Sequence, residues 1–445
     1  MIETQKYWNP VMETLPHEKI RELQFKKFKR LFQWAYDHSK FHRRLYDEAG
    51  ITPRDIRSFS DIRQVPKVEK SMMRGIQRKD PFPYGDTLCV PIEEVVEFHQ
   101  TSGSTGQPVY QADSWPDWEW FFECWAFIIW AQGYRPGDRV FLPFGYNVFV
   151  AFWAGHYAAE KVGCEVVPGG VLDTKARILK IQELKATAMM ATPTYVLGMA
   201  DTARNKLGID PASLSIDKIT CAGEPGASIP TTKKRMEEAW GAKVYDHAGA
   251  TEIGAWSYEC VEQPGGMHAN EGLFLVEIED IETGETIEEP GRRGKMIITA
   301  LDRFAQPCIR FDSKDIIEWA ADPCPCGRTF RLLRGGVVGR ADDITKVKGV
   351  LLAPSAIEEV VRGVHGLGDE FEVVVDKVGD IDRIMLKVEL LPESIKDRPV
   401  IEAELKDQLR LKTNLGYLLE FHDHGTLPRY EVKAKRFRDL RKLHS

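Results

Sequence analysis

Residues 97–111 read EFHQTSGSTGQPVYQ. Thr101, Ser102, Ser104 and Thr105 supply hydroxyl donors, while Gly103 and Gly106 let backbone N–H groups converge, a combination that can cradle a phosphate. It is not a P-loop, because Gln107 and Pro108 stand where a lysine would follow the second glycine. A lone Ser/Thr/Gly loop is also an ordinary surface turn, so the reading needs companions. Four follow in order: YDHAGATEIG carries Thr251 and Glu252, IRFDSKDI carries Asp315, GRADDITKVKG carries Arg340, Asp342 and Gly349, and PRYEVKAKRFRD carries Lys433. Each alone could be a capped turn or a solvated charge. The ordered set is more specific than its members.

A second constellation has metal-ligand character. DPCPCGRTF holds Cys324 and Cys326 in a Cys-x-Cys knuckle, and ECVEQPGGMH upstream supplies Cys260 and His268. Three thiolates and one imidazole would close a tetrahedral structural zinc site, with no position left open for catalysis. The alternative is a capped turn with reduced thiols.

These residues need a scaffold, and the hydrophobic pattern predicts one. Residues 18–35 space Ile20, Leu23, Phe28, Leu31, Phe32 and Ala35 as a helix, with a basic face expected to be solvated. From about residue 140 to 254, short apolar runs (RVFLPFG, EVVPGG, ATAMMATP, DKITCAGEPG, KVYDHAG) alternate with helical patterns, including 175–185 and 230–240. Such alternation predicts an α/β layered sheet with parallel strands and ligands at the strand ends. Beyond it, LFLVEIED and GKMIITAL, separated by a turn-rich stretch, predict a β-rich part over 255–340. After Gly339 the order βαββαβ predicts a small α+β domain. The expected division is an N-terminal domain over 1–340, helical over 1–95, and a C-terminal domain over 341–445.

Composition narrows the function. The 445 residues carry a formal net charge of -7 with scattered basic residues, which offers no electrostatic footprint for nucleic acid. No signal-peptide pattern opens the chain and its longest apolar runs are too short to span a bilayer, so no membrane partner is expected and the cytoplasm is the expected location. Most of the eight cysteines are expected to be small buried hydrophobes.

With its motifs in order, the sequence resembles the adenylate-forming superfamily of acyl-CoA synthetases, luciferases and peptide-synthetase adenylation domains, and within it the phenylacetate-CoA ligase group. YWNP, SFSDIRQVPKVEKSMMR, GHYAAEKVGCEVVPGG, ATPTY and CAGEP extend the resemblance over nearly the whole chain. It implies a two-step ligase that joins a small-molecule carboxylic acid to AMP from ATP, then passes the acyl group to coenzyme A. By the resemblance, the loop from Thr101 through Ser102, Gly103, Ser104 and Thr105 to Gly106 would hold the ATP phosphates. Glu252 would hold Mg²⁺ and Thr251 would donate to the α-phosphate. Asp315 would accept from the ribose hydroxyls with Arg340 beside it. Gly223, Glu224 and Pro225 of CAGEP, with Asp246, His247 and Ala248, would complete the nucleotide site. Lys433 would be the adenylation catalyst, Asp342 the hinge on which a mobile C-terminal domain turns, and Gly349 the point where pantetheine passes. Such enzymes are often homodimers, and some relatives carry a similar cysteine cluster.

Three departures stand out. Ala248 replaces the aromatic residue that packs on adenine in the family, leaving Tyr245 or His247 to provide a face. Val432 replaces the glycine before the lysine, with Lys435 as competitor for the anchor. Val150, Ala151, Phe152 and Trp153 replace small residues found in relatives that take arylacetates. With Phe144, Tyr146 and Phe149, Phe152 and Trp153 predict a shortened or reshaped acid pocket, suited to a compact aromatic acid or a small branched or hydroxy acid. The same rings could instead be core packing. Alternatives to CoA ligation are transfer to an amine, a carrier protein or a deazaflavin cofactor, or a non-catalytic sensor; CoA dependence of AMP release separates them.

Overall fold

The computed structural model describes residues 5–101, 107–341, 345–348, 350–378, 381–430 and 436–443. The chain folds as two compact units, one of Met1–Val171, Ala186–Met190 and Tyr245–Val337, the other of Leu172–Lys185, Ala191–Val244 and Val338–Ser445.

After the short helix Pro10–Glu13, the first unit continues with helix His17–His38, whose Phe28, Leu31, Phe32 and Ala35 stripe is buried against Leu275, Leu301 and Ile309. Its basic face is not merely solvated. Lys27 and Arg30 pair with Asp302, and Arg21 pairs with Glu288, because the strands that cover the apolar stripe bring acidic loops to its edges. Strand Arg139–Leu142 pairs in parallel with Glu165–Pro168 and with Ala188–Ala191, as the alternation predicts. Phe274–Glu279, Arg293–Ala300 and Phe311–Glu318 form the antiparallel β-rich part.

Helix Trp115–Ala131 (WPDWEWFFECWAFIIWA) is apolar over most of its surface and buried in the core except at Trp115, Pro116, Glu119 and, in part, Glu123, so its amphipathic stripe is weak in sequence. Ser114 and Asp117 start it with a capping box, and Pro116 lies in the first turn, where its missing N–H costs nothing.

The second unit contains helices Thr174–Leu184, Pro193–Thr202 and Pro230–Trp240 and strand Lys218–Cys221. It also contains the predicted α+β segment. There the strand order is Leu418–Asp423, Ile381–Leu390, Leu367–Val378, Phe437–Asp439: an antiparallel central pair flanked by two parallel partners. Helices Pro354–Gly363 and Arg398–Thr413 pack Ile357, Val361, Leu405 and Leu409 onto it.

All eight cysteines are buried and reduced, and no helix among the described residues is long and apolar enough to cross a membrane.

Candidate active site and metal centre

In the first unit, strands Val95–Gln100 and Tyr110–Ser114 form an antiparallel hairpin that carries the hydroxyl-rich loop. Thr101 closes the loop's base: its N–H donates to the Val109 carbonyl at 3.0 Å, and its Oγ1 accepts from the Val109 N–H at 3.0 Å. Gln77 pins the outgoing strand by exchanging two hydrogen bonds with the Tyr110 backbone. Ser102, Gly103, Ser104, Thr105 and Gly106 lie outside the described residues, as do Asp342, Gly349, Lys433 and the side chain of Phe152.

Thr251 and Glu252 occupy the tip of a second hairpin, between strands Lys243–Ala250 and Gly254–Tyr258. Its tightness is set by glycine. Gly254 has φ of +117°, and a Cβ there would lie 3.1 Å from Phe274 and Trp120, so the turn requires a residue without a side chain. Glu252 is nearly buried, and Lys70 Nζ stands 2.6 Å from its Oε1. A carboxylate is the oxygen ligand that Mg²⁺ takes, and in this structure that of Glu252 is paired with Lys70.

Arg303 joins the two hairpins. Fully buried, it donates from Nε and Nη2 to both Asp113 oxygens at 2.7 Å, and from Nη1 to the Thr251 carbonyl at 2.8 Å. Asp113 belongs to the strand leaving the hydroxyl-rich loop, so one planar guanidinium sets that loop's base relative to the Thr251–Glu252 turn. Asp117 accepts from the backbone N–H groups of Phe304 and Ala305, and Gln306 bonds Ala112, Tyr110 and Thr87. Lys70, Arg303, Asp113, Asp117 and Gln306 escape sequence reasoning, because each bond spans far-separated segments and no local motif marks it.

Among the nucleotide candidates, Asp246 and His247 are buried, Ala248 is half-buried, and Asp315 is half-buried in strand Phe311–Glu318 with its N–H bonded to Ser313 Oγ. The His247 ring packs edge-on to Trp125 at 4.2 Å, and burial lowers its pKa to about 4, so it is neutral at physiological pH. Tyr245 is also buried. Gly223, Glu224, Pro225 and Arg340 belong to the second unit, where Glu224 Oε1 accepts from the Thr194 N–H at 2.8 Å and Thr194 Oγ1 accepts from Arg436.

Of the proposed acid-pocket rings, Phe144 is buried in the core, whereas Tyr146, Phe149 and Trp153 are partly exposed. Tyr146 and Trp153 meet edge to face at 4.8 Å. Asn147 shapes their loop by accepting from Trp153 Nε1 with its carbonyl and from the Phe149 N–H with its side chain.

The four metal candidates converge. Ligand atoms of Cys260, His268, Cys324 and Cys326 lie within 4.8 Å of one another and all four residues are buried. Cys260 and Cys324 sulfurs are 3.6 Å apart, and Cys326 Sγ is 3.4 Å from His268 Nε2. His268 Nδ1 faces the Phe330 carbonyl at 3.1 Å, a bond that places the proton on Nδ1 and leaves Nε2 to bind metal. The donor set and its spacing fit tetrahedral zinc.

Comparison with known proteins places the chain in a family. Residues 349–441 match the AMP-binding enzyme C-terminal domain family. A phenylacetate-coenzyme A ligase of Thermus thermophilus is 33% identical over 456 residues, covering 98% of this chain and 100% of that one. The chain belongs to the phenylacetate-CoA ligase family. It is an AMP-forming acid-CoA ligase whose co-substrates are ATP and CoA. The ligase is also similar to a solved 2-hydroxyisobutyryl-CoA ligase in the postadenylation state with 2-HIB-AMP: TM-score 0.93, 29% identity, 99% of this chain and 94% of that one. The structure of that enzyme with 2-HIB-AMP and CoA in the thioesterification state matches with TM-score 0.74, 30% identity, and coverage of 99% and 94%.

Proposed function

We propose that this ligase activates a compact carboxylic acid, either aromatic or a small branched or hydroxy acid, and releases it as the CoA thioester. The observation that carries this reading is the aromatic loop, where Tyr146 and Trp153 close edge to face at the start of helix Val150–Val162. Bulky rings lining an acid site would suit a short acid better than a long chain. The similar solved enzyme, named for 2-hydroxyisobutyryl-CoA, supports the hydroxy-acid branch.

In the first step the 101–106 loop binds the β- and γ-phosphates, Thr251 donates to the α-phosphate, Glu252 holds Mg²⁺, and Asp315 and Arg340 hold the ribose. The metal supplies charge neutralisation on the phosphates. Lys433 bridges the acid carboxylate and the α-phosphate as a compact cation. The C-terminal domain, 341–445, then turns at Asp342, withdraws Lys433 and brings Gly349 to the thiol path. Zinc on Cys260, His268, Cys324 and Cys326 is structural. The same reading makes the ligase cytoplasmic and dimeric, and light scattering tests the second point.

The deciding experiment measures pyrophosphate release with ATP and Mg²⁺ across aryl, arylacetic and small hydroxy acids, with and without CoA. One acid class is expected to release pyrophosphate, with thioester forming only when CoA is present; release with long-chain acids alone would overturn the acid assignment. Lys433→Ala is expected to lose pyrophosphate release by about 100-fold or more, yet still convert supplied acyl-AMP to thioester.

A further inference from the structure

Tyr146 does more than present a ring. Its Oη lies 2.5 Å from His156 Nδ1, and His156 Nε2 lies 3.0 Å from Glu160 Oε1, so three side chains form a chain of hydrogen bonds. His156 and Glu160 are one turn apart on helix Val150–Val162, which makes their pairing local and persistent. The loop shaped by Asn147 then returns Tyr146 over the same helix face.

The direction of each bond follows from what its ends can do. An ionised carboxylate only accepts, so the proton between His156 and Glu160 belongs to His156 Nε2. A neutral imidazole protonated at Nε2 has a bare Nδ1, which must accept. With the imidazole neutral, the Tyr146 hydroxyl donates inward to His156. Burial pushes that hydroxyl's pKa up to about 12, so its proton stays in place at physiological pH. With the proton spent, Oη has only lone pairs left for a ligand.

We infer that Tyr146, oriented by His156 and Glu160, is the specificity determinant of the acid site and selects acids that carry a hydrogen-bond donor, a hydroxyl or an amine, near the carboxylate. The inference rests on the reading of Tyr146 as part of the acid site. An acid with a methyl group in that place leaves Oη without a partner, and one with a keto or ether oxygen sets lone pair against lone pair. Glu160 and His156 act through Tyr146 and are positioning residues.

The test compares kcat/KM for pyrophosphate release between near-isosteric acids: 2-hydroxyisobutyrate with pivalate, mandelate with 2-phenylpropanoate, and salicylate with 2-methylbenzoate. In at least one pair the hydroxy acid is expected to win by about 10-fold or more. Tyr146→Phe should bring that ratio to about 3 or less. Glu160→Ala, a change at the helix surface, should lower the ratio partway, through KM of the hydroxy acid, because the imidazole is no longer held in one tautomer. Thermal melts establish that both variants fold. A wild-type ratio near one or favouring the methyl acid overturns donor selection. So does a Tyr146→Phe enzyme that slows both members equally, which would still leave Tyr146 in the acid site. Tyr146→Phe with no effect on either member overturns the acid-site reading itself, and turnover of none of the acids overturns both.

Discussion

Replacing Arg303 by methionine would leave the Asp113 carboxylate buried without its partner, a change that costs about 3–5 kcal/mol in buried pairs. A lowered urea midpoint is the expected result. Adding Asp113→Leu should recover most of the stability, since an apolar pair of similar volume needs no desolvation. The double variant should still adenylate at least about 10-fold more slowly, because the Thr251 carbonyl has lost its donor and the turn is free to shift. Three histidines make a separate prediction. Burial lowers the pKa of His42 to about 3 and those of His99 and His247 to about 4, whereas the unfolded chain titrates near 6.5. Below pH 6.5 the unfolded state takes up protons that the folded state refuses, so stability is complete above that pH and falls as the pH drops toward 4. Each histidine contributes roughly 1.4 kcal/mol per pH unit in that window. Urea midpoints at pH 7.5, 6 and 5 measure the slope, and His99→Gln should flatten it.

At the scale of elements, the cysteine knuckle anchors more than its own turn. Tyr7 donates to the Cys326 carbonyl at 2.9 Å, Arg328 pairs with Glu13, and the Thr329 N–H and hydroxyl bond the Glu13 and Leu15 carbonyls. The N-terminal segment is thereby tied to residues within the metal turn. One zinc per chain is expected by elemental analysis. Cys260→Ser, or treatment with a strong chelator, should remove it, lower the melting temperature and expose residues near 7–15 to proteolysis. A melt and cleavage pattern unchanged by metal loss would show that the turn stands on hydrogen bonds alone. Much of this element scale was readable beforehand. The parallel strands, the antiparallel β-rich part and the α+β segment follow from periodicity and turn residues. Helix Trp115–Ala131 was not, because its acidic residues Asp117, Glu119 and Glu123 are too few among apolar ones to mark a clear polar face.

At the scale of the whole molecule, the proposed cycle assigns adenylation and thioester formation to two settings of the C-terminal domain about Asp342. Asp342→Pro fixes φ near −65° and restricts the preceding residue. It should spare one half-reaction and slow the other by about 100-fold. Quenched-flow measurement of acyl-AMP and thioester separates the two, and equal loss of both would place the hinge elsewhere.

The sequence by itself determined the family, the order of elements, and the residue types available for phosphate, magnesium, ribose and zinc. Those signals are local, since a helix period, a glycine turn or a Cys-x-Cys spacing is written within a few residues. Tertiary structure alone decided the pairing of Lys70 with Glu252, the guanidinium linking Asp113 to Thr251, and the docking of residues near 7–15 on the Cys324–Cys326 turn. It also decided the contact of the Tyr146 hydroxyl with His156. His156 and Glu160 stand one helical turn apart in the sequence, but Tyr146 meets them only because Asn147 folds its loop back over the helix. Ion pairs and hydrogen bonds between distant segments depend on which surfaces packing brings together and on how little water remains there, and no local pattern encodes either.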